Sequence, residues 1–246
     1  MRRLLFTIRY DGTADHGWQV QNNALTVQQL VQDALERVLG ERVPVTGCSR
    51  TDTGVHAEMF CFHTDVGSDI DCERLVSAIN AHLPDDIAAY DCREVAGDFH
   101  ARYSCSGKRY IYRFYDGRQR NPFLMRYTAR VNGRLDEARM NEAAAHFVGR
   151  HDFIGFCSAG SSVEDTVRTV SEAKVERQGD VVIFTVAADG FLYNMVRIMA
   201  GTLLEVSSGK TQPADMPQII ASRERERAGA TAKAQGLTLA EVFYGG

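Results

Sequence analysis

Apolar and polar residues alternate from the start of the chain. Phe6, Ile8 and Tyr10 alternate with Leu5, Thr7 and Arg9, which predicts a strand that ends at the turn pair Asp11-Gly12. From residue 27 the period lengthens. Val27, Leu30, Val31, Ala34, Leu35, Val38 and Leu39 fall on one helical face, Thr26 and Gln29 fit a capping box, and Gly40 fits the C-terminal stop. Strands near 43 to 48 and 58 to 64 follow. A second helix runs from about Cys72 to Leu83, with Asp71 as its cap and Pro84 closing it, and a strand spans about Ile87 to Val95. Strand, helix, two strands, helix, strand is the order of a ferredoxin-like split unit.

The second half loosely repeats this order. Tyr103 to Tyr115 reads as a long strand with Tyr110, Tyr112 and Phe114 on one face and Arg109, Ile111 and Arg113 on the other. A helix is expected over 136 to 148. A hairpin of strands 167 to 176 and 181 to 188 turns at Gln178-Gly179-Asp180, and helices follow over 191 to 206 and 213 to 223. The fold class expected is α+β: two ferredoxin-like subdomains, 1-103 and 104-246, sharing an extended antiparallel sheet with helices mainly on one face.

A length of 246 residues and 44% hydrophobic content suffice for a core without staples. Six cysteines are scattered with no Cys-x-x-Cys pair, so neither a structural zinc site nor a disulfide framework is indicated, and reduced, mostly buried thiols are expected. The opening MRRLLFTIRYDG has too short an apolar run for a signal peptide or a membrane span, so the expectation is a soluble, cytoplasmic protein. Net charge is −4, which by itself argues against a nucleic-acid partner. Arg102 to Arg139, however, holds ten Lys/Arg and three Asp/Glu, a net of +7 that leaves −11 on the rest. Of 28 basic residues, all but Lys108, Lys174, Lys210 and Lys233 are arginine, whose planar fork suits phosphate oxygens. A codon preference for arginine accounts for that bias equally well.

The chemistry concentrates in Gly47-Cys48-Ser49-Arg50-Thr51-Asp52-Thr53-Gly54-Val55-His56-Ala57, a polar run between strand-like segments. Loops held between strands present catalytic groups, and Asp52 sits at the centre of this one; a turn with a capping Asp is the plain alternative. In an extended loop Arg50 would lie on the same side as Asp52 and keep its carboxylate ionised, ready as nucleophile or base. Cys48, Asp52 and His56 recur every four residues, which on a helix would align a cysteine-enzyme or metal constellation. The glycines and β-branched neighbours disfavour a helix, and His56 reads as a hydrogen-bonded structural histidine. Tyr110, among Lys108, Arg109 and Arg113, suits base stacking beside phosphates, although three aromatics in a strand also describe a core. Arg197 lies in the otherwise apolar run Phe191 to Gly201. Pointing inward it would need a carboxylate such as Asp52, while at the surface only its stem would be covered.

A set of strings in order then resembles the TruA family of tRNA pseudouridine synthases: Tyr10-Asp11-Gly12 with Gly17-Trp18-Gln19, Arg50 to Ala57, Phe99 to Ser104, Lys108-Arg109-Tyr110, His151-Asp152-Phe153, Arg168-Thr169-Val170, Met195-Val196-Arg197 and Ala230 to Ala234. The resemblance runs from Arg9 to the C-terminus. It implies the pseudouridine synthase fold and conversion of uridine to pseudouridine in the tRNA anticodon arm, with no cofactor and no metal. It also implies a homodimer that binds tRNA, with neither DNA nor membrane as partner. Asp52 matches the family's catalytic aspartate, Tyr110 the tyrosine that packs on the target base, Arg197 the basic partner of the aspartate, and Arg50 the arginine that displaces the base. Lys108, Arg109 and Arg102 complete the expected substrate contacts. One departure is Ser49, where the family usually has Gly before Arg-Thr-Asp. Two rivals stand beside this reading: a non-catalytic RNA-binding protein on the same scaffold, and an enzyme built on Cys48.

Overall fold

The opening strand, β1 (Arg2–Tyr10), is the first place where the pattern understates burial. Leu4, Leu5, Phe6 and Ile8 are all at most 2% exposed, because β1 is a central strand covered on both faces. It pairs antiparallel with β3 (His56–Val66) on one side and β4 (Ile87–Val95) on the other. The computed structural model describes residues 1–160 and 163–245. The chain divides into two compact units, Met1–Ser106 with Leu239–Gly246 and Gly107–Thr238, and the fold is α+β with a large, mostly antiparallel sheet.

In the first unit the elements are β1, α1 (Val27–Leu39), the two-residue β2 (Thr46–Gly47), β3, α2 (Cys72–Asn80) and β4, the ferredoxin-like order. Strands lie in the order β4-β1-β3, with β2 also on β3 and β10 (Leu237–Tyr244) as the next strand along. Helix α1 forms where the periodicity predicts it. The Thr26 side chain accepts from the Gln29 amide, and Gly40, at φ 77°, closes the helix by donating to Glu36 O at 2.9 Å. Helix α2 stops at Asn80 rather than near Leu83. The Asn80 side chain is drawn off to pair both ways with the Ala89 backbone at 2.7 and 2.8 Å, tying the helix end to β4. The aromatic centre of this unit is Phe6 stacked on Phe62 at 5.0 Å, with Trp18 over Phe60 at 4.1 Å.

In the second unit β5 (Cys105–Tyr115), β9 (Val181–Ala188), β8 (Val167–Gln178) and β7 (Gly149–Asp152) are neighbours in that order, with the short β6 (Ala129–Arg130) parallel to β5. Helix α3 (Glu137–Ala145) packs on β8 and on α4 (Met195–Ser207); α5 (Met216–Ser222) lies on β7. Helix α4 starts four residues later than the apolar run predicts, because Asn194 takes a left-handed conformation, φ 60°, which an α-helix cannot contain. Residues 213 to 215 form a 3₁₀ turn leading into α5. Tyr112, Phe114, Phe147, Phe153, Phe156 and Phe184 build the core. At its edge the side chain of Asp116, 0% exposed, receives Arg177 at 3.0 Å and the Leu135 amide at 2.9 Å; Arg177 also reaches Glu137 at 2.8 Å.

The six cysteines are free, but only Cys48, Cys61 and Cys157 are buried; Cys72, Cys92 and Cys105 are half-buried, fewer in the interior than composition suggests. Among the described residues no helix is long and apolar enough to cross a membrane.

Candidate active site

Asp52 stands at the head of a four-residue turn. The Val55 amide donates to Asp52 O at 3.1 Å, and Gly54 takes φ 78°, the value the third residue of a type II turn requires. The carboxylate side chain is half-exposed, whereas Thr51 and Val55 on either side are buried. Cys48 to Val55 is therefore loop and turn rather than helix, and His56 is the first residue of β3. The every-fourth-residue spacing of Cys48, Asp52 and His56 consequently does not put them on a helix face.

The loop is held from a segment distant in sequence, residues 10 to 18. Tyr10 Oη and Thr51 Oγ1 share a hydrogen bond at 2.7 Å, and the Trp18 amide donates to Thr51 O at 3.1 Å. Two glycines make this approach possible. A Cβ on Gly12 would lie 2.2 Å from Val55 O, and one on Gly17, at φ 81°, would lie 2.4 Å from Thr51 O. Trp18, 1% exposed, then clamps the segment by packing on Phe60 and against Gly47, where a Cβ would meet its Nε1 at 2.6 Å. His56 completes the brace: buried, its Nδ1 accepts the Gly12 amide at 3.1 Å and lies 3.1 Å from Asp11 Oδ1. That matches the structural role read for it in the sequence. Gly12, Gly17, Trp18 and Thr51 are thus positioning residues for Asp52. The sequence displayed them only as strings shared with a family, since contacts 29 to 45 residues apart have no local signature.

Beside this brace Asp15 is 3% exposed and no hydrogen bond among the described residues reaches its Oδ2. Burial, and then the negative charges of Asp86 and Asp11, push its carboxyl up to about 6. Arg50 is exposed and forms no ion pair among the described residues. Arg102, also exposed, belongs to the same unit, on the turn before β5.

The second unit carries the other expected residues. Tyr110 on β5 is 6% exposed, with its ring meeting Phe191 edge-on at 5.0 Å. Lys108 and Arg109 lie two and one residues before it on the same strand, half-buried; Arg109 Nε reaches Glu172 at 3.1 Å. Arg197, in the first turn of α4, is half-buried. Its Nε donates to Ala232 O and its Nη1 to Asn194 Oδ1, both at 2.8 Å, while the Ala232 amide returns to Arg197 O at 3.0 Å. The left-handed Asn194 that delays the helix is thereby placed to orient this guanidinium. A half-buried Arg of this kind, tied to backbone and amide oxygens, is held in one direction rather than snorkelling. Among the described residues no cluster of His, Cys, Asp and Glu is arranged to hold a metal ion.

The fold is mixed α+β, with Asp52 on a braced turn of one unit and Tyr110 and Arg197 on a strand and a helix of the other. The family model described as tRNA pseudouridine synthase matches residues 7–104 and 143–245. The tRNA pseudouridine synthase A of Acetivibrio thermocellus is 48% identical over 244 residues, 99% of this chain and 100% of that protein. Those of Ruminiclostridium cellulolyticum and Brevibacillus brevis are 45% and 46% identical over 245 and 244 residues, again 99% of this chain and 100% of theirs. The chain belongs to the tRNA pseudouridine synthase family, a class of isomerases. A solved chain from a Cbf5-Nop10-Gar1 complex aligns at 10% identity and a TM-score of 0.37, over 98% of this chain and 58% of its own.

Proposed function

We propose that this protein converts uridine to pseudouridine in the anticodon stem-loop of tRNA, at positions 38, 39 and 40, with Asp52 as nucleophile. Family membership supports tRNA pseudouridylation; the anticodon positions come from the resemblance of its motifs. The observation that carries the role of Asp52 is the brace: a half-exposed carboxylate on a turn that Tyr10, Gly12, Gly17 and Trp18 hold from behind.

The reaction is an isomerisation. The N1 to C1′ bond breaks, the uracil turns in place, C5 bonds to C1′, and the proton lost from C5 is balanced by one gained at N1. No oxidant, reductant or water is consumed. Asp52 either attacks C1′ or removes a ribose proton on a glycal route, and an ionised carboxylate serves both. Tyr110 is the residue we assign to confine the detached ring and to help remove the C5 proton; its rigid seat on β5 against Phe191 suits confinement. Arg197 is assigned to the charge of the reacting carboxylate, and Arg50 to the space vacated by the displaced base. Lys108, Arg109 and Arg102 are assigned to phosphates. Extruding a stem base costs a few kcal/mol, which stacking and phosphate contacts offset. We expect a cytoplasmic homodimer.

Pseudouridine mapping on unmodified tRNA incubated with wild type and with Asp52→Asn tests this directly. The wild type should modify the anticodon arm, and the variant should bind tRNA and form no pseudouridine. Near-normal turnover by the variant would remove Asp52 from the chemistry. Binding without any product from the wild type would favour a non-catalytic RNA-binding protein.

A further inference from the structure

Tyr103 is an aromatic side chain left 77% exposed on a turn built with unusual rigidity. The turn, residues 100 to 104, leads into β5 within the first unit. Ala101 anchors it: fully buried, its amide donates to His63 Nδ1 at 3.1 Å and its carbonyl accepts from Tyr244 Oη at 2.8 Å. His100 Nδ1 faces the amides of both Arg102 and Tyr103, at 3.2 and 3.3 Å. The His100 amide donates to Ser104 Oγ at 3.0 Å, and the Ser104 amide returns to His100 O at 2.8 Å. Tyr103 itself contributes no side-chain hydrogen bond to any of this.

The ring is nonetheless fixed in place. His100 lies 4.3 Å from it at an interplanar angle of 31°, and the His63 ring in turn lies 4.9 Å from His100 at 59°, so two tilted imidazoles in series back the phenol. The Arg102 guanidinium sits 5.9 Å from the ring centroid, exposed and with no ion pair among the described residues. A core or capping role is served by burying a ring, and this one buries little. What the arrangement provides is a pre-ordered, largely exposed π surface with a cation over it at 5.9 Å, at the start of the +7 segment from Arg102 to Arg139. Because the turn is ordered before anything binds, little conformational entropy is lost on contact.

We infer that Tyr103, backed by His100, is a stacking platform for an unpaired base of the RNA substrate, with Arg102 taking an adjacent phosphate. The inference rests on the tRNA reading for the identity of the ligand, and concerns binding outside the residues assigned to the chemistry. Stacking on an aromatic tolerates any base, so the platform adds affinity and register rather than sequence preference.

The test is equilibrium binding of end-labelled, unmodified tRNA, followed by fluorescence anisotropy, in an Asp52→Asn background where no turnover intervenes. Tyr103→Ala should weaken Kd about 5- to 150-fold, and Tyr103→Phe should keep it within about twofold of the parent. Arg102→Ala should weaken binding and reduce the slope of log K against log salt by about 0.7 to 0.9. A Kd for Tyr103→Ala within twofold of the parent at every salt concentration would overturn the platform. Equal losses in the Ala and Phe variants would also overturn it, since the hydroxyl rather than the ring would then matter. Sedimentation of each variant supplies a further refutation: a change of oligomeric state on Tyr103→Ala, with tRNA affinity per protomer intact, would make the ring a contact between copies of the chain. If the parent binds tRNA and wild type forms pseudouridine while Tyr103 is neutral, the platform alone falls. If the Tyr103 variants behave as expected but wild type forms no pseudouridine, the catalytic reading falls and the platform stands.

Discussion

Asp15 should make the first unit less stable as pH rises, and the size of the effect follows from its surroundings. The carboxyl is 3% exposed, its Oδ2 has no hydrogen-bond partner among the described residues, and its nearest influences after burial are the negative charges of Asp86 and Asp11, with only His16 opposing. Its pKa accordingly stands at about 6 against an ordinary 3.8. The native state therefore holds a proton that the unfolded chain has released across that interval, and stability falls as pH climbs from about 4 to beyond 6. At about 1.4 kcal/mol per pH unit the ionised group costs about 3 kcal/mol at pH 8 and about half that at pH 5. Asp15→Asn removes the ionisation while keeping the shape. Whatever its amide gains or loses locally is the same at both pH values, so the quantity to measure is the difference: the variant should gain about 1.5 kcal/mol more over wild type at pH 8 than at pH 5. Urea titration followed by tryptophan fluorescence is the assay, because Trp18 is the sole tryptophan, is buried, and lies three residues from the substitution. A gain that is flat with pH, or that shrinks as pH rises, would show that Asp15 is not held protonated by its burial.

Two other substitutions probe the brace and the second unit. Gly17→Ala would push a methyl to 2.4 Å from Thr51 O at a φ of 81°, so the loop carrying Asp52 must shift; we expect single-turnover pseudouridine formation to fall about 100-fold, and wild-type rates would exclude the brace from catalysis. Asp116→Ala strips a fully buried carboxylate from Arg177, itself 14% exposed, and should cost about 3 kcal/mol of unfolding free energy in a denaturant titration; a change under 1 kcal/mol would mean that the Glu137 contact alone suffices for Arg177.

Elements with one strong apolar stripe were legible in the sequence. Helix α1 was, together with both of its caps, because Thr26, Gln29 and Gly40 act on neighbours three or four residues away. The hairpin of β8 and β9 was legible for the same reason, its turn residues being adjacent. Where an element's limits depend on a distant partner, the pattern misled. Asn80 leaves α2 for the backbone of Ala89, and Asn194 takes a left-handed turn that points its side chain at Arg197. Strand β10 went unread because Leu237, Thr238 and Leu239 are consecutive and all buried, which is the signature of a strand covered on both faces and has no alternation to detect.

The same division explains why the candidate nucleophile was visible and its support was not. A carboxylate between Thr51 and Thr53 in a glycine-flanked polar run stands out because a run without an apolar stripe cannot bury itself. The brace behind it is made of atoms every sequence has, a carbonyl at Thr51 and another at Val55, and what distinguishes it is the absence of a side chain at Gly12 and Gly17. Those glycines are the positions at which adding a single carbon would force the two segments apart. The loop could tolerate Ser49 in place of the family's usual glycine on this account, since the close approaches fall at Thr51 and Val55, where Gly17 and Gly12 supply the clearance from the other side. Loop geometry at Asp52 should therefore respond to Gly17 and be indifferent to a Ser49→Gly change. Comparing single-turnover rates of the two variants separates this from a model in which the glycine before Arg50 sets the turn.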